Sequence, residues 1–190
     1  MAQTKKSDKR TAIINAATKL IADQGLGAPT AKIAKAAGVS DGSLFTYFPD
    51  KDDLLNHLYV DLKIELRDAV LAAYPRTGTL KKQARHLWDI LIDWGLNEPA
   101  KRRTMAQLDV SDRITAASRA AGMSGWEDVA AMMQKVAAKG LLRDRPSTFS
   151  IKVLLVLSEL TMDSILEFPD EADAYRQAGF DAFWNAVARR

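Results

Sequence analysis

Hydrophobic residues recur at helical spacing along nearly all of this chain, and no segment alternates in the manner of a β-strand. The predicted first helix, residues 7–24, carries one apolar stripe made of Ile13, Ile14, Ala17, Leu20 and Ile21. A predicted fourth helix runs from residue 51 to about residue 73, and its stripe is made of Leu54, Leu55, Leu58, Leu62 and Leu66. The pattern therefore predicts an all-α fold of about nine helices.

Prolines and glycines mark the expected ends of the later helices, because proline cannot continue a helix and glycine favours the turn that closes one. Pro75 and Gly78 end the fourth helix, Pro99 begins the sixth, Gly122 closes the seventh, and Gly140 is a C-cap candidate for the eighth. The later predicted helices cover residues 79–96, 99–110, 112–121, 126–139, 147–168 and 170–189.

Residues 30–49 hold two short predicted helices separated by Gly38, Val39 and Ser40. Thr30 is the expected N-cap of the first helix and Ser40 that of the second, because a hydroxyl oxygen accepts a hydrogen bond from an unpaired backbone N–H. Gly38 stands where the first helix must end in a left-handed turn. The exposed face of the second helix is expected to carry Asp41, Gly42, Ser43, Phe45, Thr46 and Tyr47. This layout is typical of a helix-turn-helix whose second helix enters the major groove of DNA.

The segment from about residue 9 to residue 66 resembles the DNA-binding domain of the TetR family of bacterial repressors. The motifs that carry the resemblance are Ile14–Gly25, Thr30–Ser40, Gly42–Phe48 and Lys51–Leu55. The resemblance implies a helix-turn-helix DNA-binding domain over residues 7–67 and a ligand-binding and dimerisation domain over residues 75–190. It also implies a function, that of a ligand-responsive transcriptional regulator. Such a repressor leaves a palindromic DNA operator when a small hydrophobic or aromatic effector binds.

The candidate DNA-contacting residues are Thr30, Ser40, Asp41, Gly42, Ser43, Phe45, Thr46, Tyr47 and Lys51. We expect Ser43 and Thr46 to reach base edges or phosphates, and Tyr47 to contact a phosphate. Lys51 matches a phosphate contact of the TetR family. Gly42 permits a close approach of the helix to the duplex.

Two further positions on this helix have alternative interpretations. Phe45 either contacts a thymine methyl group or a sugar, or packs inward. Asp41 either stabilises the positive end of the helix, which we favour, or accepts a hydrogen bond from a cytosine amino group. Because this face has neither arginine nor asparagine, specificity is expected to depend on methyl contacts, on DNA shape and on a basic N-terminal arm.

Positive charge is concentrated at the expected DNA-binding end. Residues 1–40 contain seven lysines and arginines against two aspartates, an excess of five, whereas the whole chain has a net charge of +3. Such an excess attracts DNA phosphates, although it is also found in solvated tails. The basic arm, from Lys5 to Arg10, either contacts DNA through a minor groove or the backbone, or is disordered.

Several stretches of the chain resemble one branch of the family, the RamR-like multidrug-sensing repressors. The expected ligand-binding residues are Tyr59, Lys63, Leu66, Val70, Trp88, Leu91, Met132, Met133 and Leu154. For any one of them, a place in the hydrophobic core is the simpler alternative. Ile151 and Leu154 stand where the branch is expected to have an acidic and a ring-stacking residue. Neutral ligands are therefore expected to bind better than planar cations.

The last two predicted helices carry more apolar surface than one bundle needs. The expected dimerisation residues are Val156, Leu160, Phe180, Phe183, Trp184 and Val187. The alternative is that these residues close the core of the bundle itself. In the TetR family, the corresponding pair of helices packs against a second copy, and the resemblance therefore implies a homodimer that binds a palindrome.

Other classes of protein have little support in the sequence. There is no cysteine, no apolar run long enough to span a membrane, and no glycine-rich phosphate loop. His57 and His86 are not spaced with carboxylates as a metal site. We expect no catalytic residue, no metal and no cofactor, and a cytoplasmic protein. The remaining alternative is a helical adaptor, or a regulator that does not respond to a small molecule.

Overall fold

The computed structural model describes residues 2–138 and 140–188. This part of the chain is all-helical and holds no strand, which confirms the predicted fold class. Its ten α-helices are α1 (Ala2–Gln24), α2 (Thr30–Ala36), α3 (Asp41–Tyr47), α4 (Lys51–Leu71), α5 (Leu80–Asn97), α6 (Pro99–Asp109), α7 (Ala116–Met123), α8 (Glu127–Ala137), α9 (Ser147–Glu167) and α10 (Ala172–Val187). A short 3-10 helix, Pro169–Glu171, precedes α10. None of the described helices is both long and apolar enough to cross a membrane.

Most helix boundaries lie within one or two residues of the predicted ones, but α1 begins five residues earlier than predicted and α7 begins four residues later. Residues 111–115 form a turn, in which the Ser111 hydroxyl accepts a hydrogen bond from the backbone N–H of Arg113 at 3.2 Å. Gly140 follows the end of α8 and lies against backbone. A Cβ at this position would come within 1.8 Å of the carbonyl oxygen of Val187, so only glycine fits there.

The first compact unit contains the residues up to Glu65 together with Glu98–Met123. Its buried core is formed by helices α1, α2, α3, α4 and α6 and by the turn after α6. The core includes Ile13, Ile21, Ile33, Leu44, Phe48, Leu55, Leu58, Leu108 and Ile114. Two side chains of α6 donate hydrogen bonds to carbonyl oxygens of α1, Thr104 to Thr18 at 2.8 Å and Gln107 to Ile21 at 3.2 Å. Helices α6 and α7 thus belong to the same compact unit as the helix-turn-helix segment, whereas the predicted domain boundaries placed them with the C-terminal part.

The second compact unit contains Leu66–Asn97 and the chain from Ser124 onward. Trp88 of α5 is fully buried at the centre of this unit and stacks on Phe183, with ring centroids 6.0 Å apart. Its indole N–H donates a hydrogen bond to the carbonyl oxygen of Arg176 at 3.1 Å. A Cβ on Gly179 would lie 2.1 Å from the Thr161 hydroxyl oxygen and 2.7 Å from the Trp88 ring. Glycine is therefore what lets α10 approach this core.

Candidate nucleic-acid interface and effector-binding residues

The turn between α2 and α3 has the geometry that the sequence predicted. Gly38 has a φ of 68°, and the backbone N–H groups of Gly38 and Val39 donate hydrogen bonds to the carbonyl oxygens of Lys35 and Ala34. This pairing is the Schellman closure of a helix, which requires the left-handed residue. Ser40 caps α3, because its hydroxyl oxygen accepts a hydrogen bond from the backbone N–H of Ser43 at 3.2 Å.

The predicted cap at Thr30 is wrong. Helix α2 begins at Thr30 itself, and the N-cap position belongs to Pro29, which makes no side-chain cap. The φ of −66° at Pro29 is the value that the proline ring imposes, and its carbonyl oxygen accepts from the N–H groups of Lys32 and Ile33. The ring of Pro29 therefore fixes the chain direction at the start of α2.

Helix α3 has one buried and one exposed face. Leu44 and Phe48 are fully buried beneath it, as expected for core residues. The outward residues are Asp41, Gly42, Phe45 and Thr46, whereas Ser43 and Tyr47 are half-buried. Phe45 is 43% exposed, so its ring does not pack inward. The buried face fixes the helix, and the exposed face is left for contact with another molecule.

Thr46 has a defined hydrogen-bonding state. Its hydroxyl group donates to the carbonyl oxygen of Gly42 at 2.9 Å within the same helix. An oxygen that has given its proton to the backbone presents lone pairs outward, and it then acts as an acceptor. In the major groove the donors are the amino groups of adenine and cytosine. The side chain is therefore suited to those bases.

The start of α4 is fixed by two side-chain hydrogen bonds. Asp50 caps the helix, accepting from the backbone N–H of Asp53 at 2.8 Å. The ammonium group of Lys51 donates to the carbonyl oxygen of Ala28 at 2.6 Å. Partial burial, chiefly, lowers the pKa of Lys51, and nearby Arg113 lowers it further. An ammonium group has three N–H donors, so the bond to Ala28 leaves Lys51 able to bind a phosphate as well.

Arg10 does not belong to a free basic arm. Its guanidinium contacts the Asp61 carboxylate at 3.1 Å and lies 5.7 Å from the centroid of the Phe48 ring. Both contacts hold Arg10 against the first unit, so that it is not part of a disordered arm, and its contact with DNA stays a prediction. The side chains of Lys5 and Lys6 lie outside the described part of the structure.

Tyr59 and Lys63, the first two predicted ligand-binding residues, belong to a polar cluster inside the first unit. Tyr59 is 3% exposed. Lys63 makes an ion pair with Asp109 at 2.8 Å, and its ammonium lies 5.4 Å from the centre of the Tyr59 ring. Burial and the Asp109 carboxylate raise the pKa of Tyr59. Gly122 of α7 closes the cluster, since a Cβ there would come within 2.9 Å of the Tyr59 ring.

The remaining predicted ligand-binding residues lie in the second unit and are buried there: Leu66, Val70, Trp88, Leu91, Met132, Met133 and Leu154. An open groove of about 660 Å³ in the same unit is lined by other residues, among them Lys81, Lys82, Arg85 and Phe180. Trp88 in particular is held by ring stacking and by a hydrogen bond to the backbone. These side chains act as core in the present structure, and their role in ligand binding stays a prediction.

The predicted dimerisation residues divide into two groups. Val156 and Leu160 of α9 are 67% and 61% exposed. Phe180, Phe183 and Val187 of α10 are instead almost fully buried, and the two phenylalanine rings lie against Trp88 of α5. The prediction that these three form a partner surface is therefore wrong, whereas Trp184 is half-buried. Further exposed apolar residues of α9, absent from the prediction, are Phe149, Leu155 and Leu166.

Comparison with known proteins shows which family this chain resembles. A family model described as "Bacterial regulatory proteins, tetR family" matches residues 13–58, from α1 into α4. A TetR family transcription regulator from Marinobacter aquaeolei VT8 has the same fold over 100% of both chains, with a TM-score of 0.85 at 26% identity. The N-terminal segment is thus similar to the TetR family, and the whole chain has the fold of a TetR-family regulator. The matched residues include the helix-turn-helix of α2 and α3.

Two more similar proteins extend the comparison with the TetR family. The regulator BetI of Cronobacter sakazakii is 39% identical over 80 residues, which cover 42% of this chain and 40% of that relative. The chain thus spans about two fifths of the length of this curated relative. LfrR from Mycobacterium smegmatis, solved in complex with proflavine, shares the fold with a TM-score of 0.68 at 20% identity, over 96% of this chain and 99% of that chain. Such relatives are transcription regulators, which confirms the prediction that this chain is not an enzyme.

Proposed function

We propose that this protein is a ligand-responsive transcriptional repressor of the TetR family that binds a palindromic operator as a homodimer in the cytoplasm. The observation that carries the proposal is the geometry of α3. One face of this helix is anchored by buried Leu44 and the Ser40 cap, and the other presents short polar side chains outward. A short helix with a fixed back and an accessible front is what a reading helix in the major groove requires.

Contact roles follow from the chemistry of each side chain. Thr46 and Ser43 read base edges, because both are short hydroxyl residues of α3, of which Thr46 is exposed and Ser43 half-buried. Tyr47 and Lys51 bind phosphates, which position the helix without reading sequence. Binding should weaken steeply with salt, since each phosphate contact releases condensed counterions.

A homodimer is supported by the apolar side chains that α9 leaves exposed. Leu155, Val156, Leu160 and Leu166 are all on this helix and are 39% to 67% exposed. Large apolar side chains exposed on one helix are a common sign of a protein interface. A two-fold dimer would present two copies of α3 to two half-sites about one helical turn apart.

The effector is proposed to be a small hydrophobic or aromatic molecule. Support for an aromatic ligand comes from the fold shared with LfrR, which was solved with proflavine, and from the adaptable methionines Met132 and Met133. Proflavine is a planar cation, so the preference for neutral ligands rests on Ile151 and Leu154 and not on this comparison. Release of DNA then requires the ligand to bind better to the form of the dimer whose reading helices are wrongly spaced.

The decisive experiment is selection of DNA by the full-length protein from a random pool. The proposal predicts a palindromic consensus, and a purified duplex carrying it should bind one dimer or more with loss of affinity at high salt. Recovery of no enriched sequence would favour the alternative of a helical adaptor. Enrichment without release by any small molecule would favour a regulator that does not respond to a ligand.

A further inference from the structure

The beginning of α4 places acidic side chains around the proposed phosphate contact. Asp50, Asp52 and Asp53 surround Lys51 in sequence, only three to six residues after the end of α3 at Tyr47. Asp50 is partly occupied as the helix cap. Carboxylates in the first turn stabilise a helix, but close to a DNA phosphate they repel it. A chain that binds DNA with this segment therefore needs a counter-charge.

Arg113 supplies a positive charge at this position from outside the helix-turn-helix. Its guanidinium makes an ion pair with the carboxylate of Asp52 through both Nε and Nη2. Arg113 lies in the turn between α6 and α7, 61 residues further along the chain. Both N–H groups converge on one carboxylate oxygen, and the pair is partly exposed, with 33% of the Arg113 side chain and 59% of the Asp52 side chain accessible.

The position of Arg113 is fixed by the residues on either side of it. The Asn56 side chain donates to the carbonyl oxygen of Arg113 at 3.0 Å and accepts from the backbone N–H of Thr115 at 2.9 Å. Between them, Ile114 is 4% exposed and belongs to the core of the first unit. The turn is thus held against α4 by one reciprocal amide pair and one buried side chain.

Lys51, Asp52 and Arg113 also lie within electrostatic reach of one another. Burial, chiefly, and then Arg113 lower the pKa of Lys51, whereas Asp52 raises it. The three side chains therefore act as one charged group, in which the guanidinium offsets the carboxylate beside the ammonium. Without Arg113, the uncompensated carboxylate of Asp52 would oppose the attraction of Lys51 for an anion.

We propose that Arg113 is a positioning residue for DNA binding, whose guanidinium neutralises Asp52 so that the start of α4 accepts a DNA phosphate. The inference rests on the proposed function. It adds a residue from the α6–α7 turn to the DNA-binding apparatus, and it makes Asn56 the side chain that holds this residue in register. Arg113 acts through Asp52 in this account, and not by touching the DNA itself.

The test compares four full-length proteins: wild type, Arg113→Gln, Asp52→Asn, and the double variant. Their affinities are measured for a selected duplex and for a random-sequence duplex of about 30 base pairs, at low and at high salt. Arg113→Gln should weaken binding about five-fold to ten-fold at low salt, and the difference should shrink as salt screens the bare carboxylate. Asp52→Asn in the Arg113→Gln background should restore most of the lost affinity.

Arg103→Gln is the matched control, because Arg103 is also paired with a carboxylate of the first unit, at 3.9 Å from Asp23, and is well exposed. Its affinity should stay close to that of wild type, and thermal unfolding should report whether any variant has lost its fold. Wild-type affinity in Arg113→Gln would overturn the inference. A loss that the Asp52→Asn change does not rescue would do so too, because Arg113 would then act directly or as a structural support. Failure of the wild type to bind either duplex would instead refute the proposed function.

Discussion

The ammonium group of Lys51 lies 2.6 Å from the carbonyl oxygen of Ala28 and donates a hydrogen bond to it. This bond ties the first residue of α4 to the segment just before α2, so that the two ends of the helix-turn-helix are joined by one side chain. A lysine held in this way is pre-organised, and its remaining N–H donors point from a fixed position. Little side-chain entropy is then lost when a phosphate is bound.

Lys51→Ala should weaken binding to all duplexes alike, because the lysine is assigned to a phosphate. The salt dependence of the affinity should fall by about one counterion, and stability should drop by about 1 kcal/mol from the lost hydrogen bond. Fluorescence anisotropy over a salt series measures the first effect, and thermal unfolding the second. Lys19→Ala, which removes an exposed lysine from α1, is the control. An unchanged salt slope in Lys51→Ala would contradict the phosphate assignment.

Thr46→Val should change which sequences are preferred rather than how tightly DNA is bound in general. Valine keeps the shape of threonine but removes the hydroxyl that bonds to the Gly42 carbonyl oxygen and presents an acceptor outward. A good base contact is worth about 1–3 kcal/mol, so discrimination at one position of each half-site should fall by that amount. Repeating the selection from a random pool with the variant measures this. Ser43→Ala should act in the same way, and an identical consensus for both variants would argue against base reading by these residues.

Local structure was predictable wherever one residue decides it. Gly38 and Ser40 set the turn and the cap of the reading helix, and both are recognisable because glycine and serine are the residues that these positions demand. Thr30 was wrongly predicted as the N-cap of α2, because the sequence alone does not distinguish a threonine in the first turn of a helix from one just before that turn. Pro29 was the better signal for the start of α2.

Long-range packing was less predictable, because the sequence of an apolar helix face does not indicate which element it packs against. Phe180 and Phe183 have the composition of an interface, yet they surround Trp88 in the core of their own unit. The grouping of α6 with α1 depends on two polar side chains, Thr104 and Gln107, that bond to backbone far away in sequence. The periodicity of hydrophobic residues does not reveal hydrogen bonds between residues that are far apart in sequence. The same holds for the ion pair between Asp52 and Arg113.

Gly38→Ala should destabilise the protein by about 1 kcal/mol, because an L-residue is strained at a φ of 68°. No atom lies within 4 Å of a Cβ built there, so the cost is conformational and not steric. Gly42→Ala is the matched comparison, since its Cβ also meets nothing but its φ is ordinary. That change should raise stability by about 0.5–1 kcal/mol, because alanine favours the helix, and should weaken DNA binding if α3 approaches the duplex closely. Chemical unfolding and operator affinity, measured on both variants, separate the two effects.

Leu160→Glu should shift the protein from dimer to monomer, because it places a charge on the exposed apolar side of α9. Operator affinity should fall with it, since two half-sites then have to be occupied independently. Light scattering across a concentration series gives the mass, and Val110→Glu is the control, an 86% exposed apolar residue of the first unit. A Leu160→Glu protein that remains a dimer would show that this part of α9 is not the interface.

Tyr59→Ala should reduce the response to an effector, if the predicted ligand-binding residues are correct. The side chain is 3% exposed, and its cluster links α4 to Asp109 through Lys63, so its loss changes the helix that begins at Lys51. Among ligands of equal size, neutral hydrophobes should bind more tightly than planar dye cations, because Ile151 and Leu154 offer neither a counter-charge nor a stacking ring. Titration of one compound of each kind against wild type and Tyr59→Ala, with ligand affinity and operator release both recorded, provides the test. A thermal unfolding curve shows whether the variant keeps its fold. Tighter binding of the cation would refute the argument from Ile151 and Leu154, and a full response in a folded Tyr59→Ala protein would refute the location of the site.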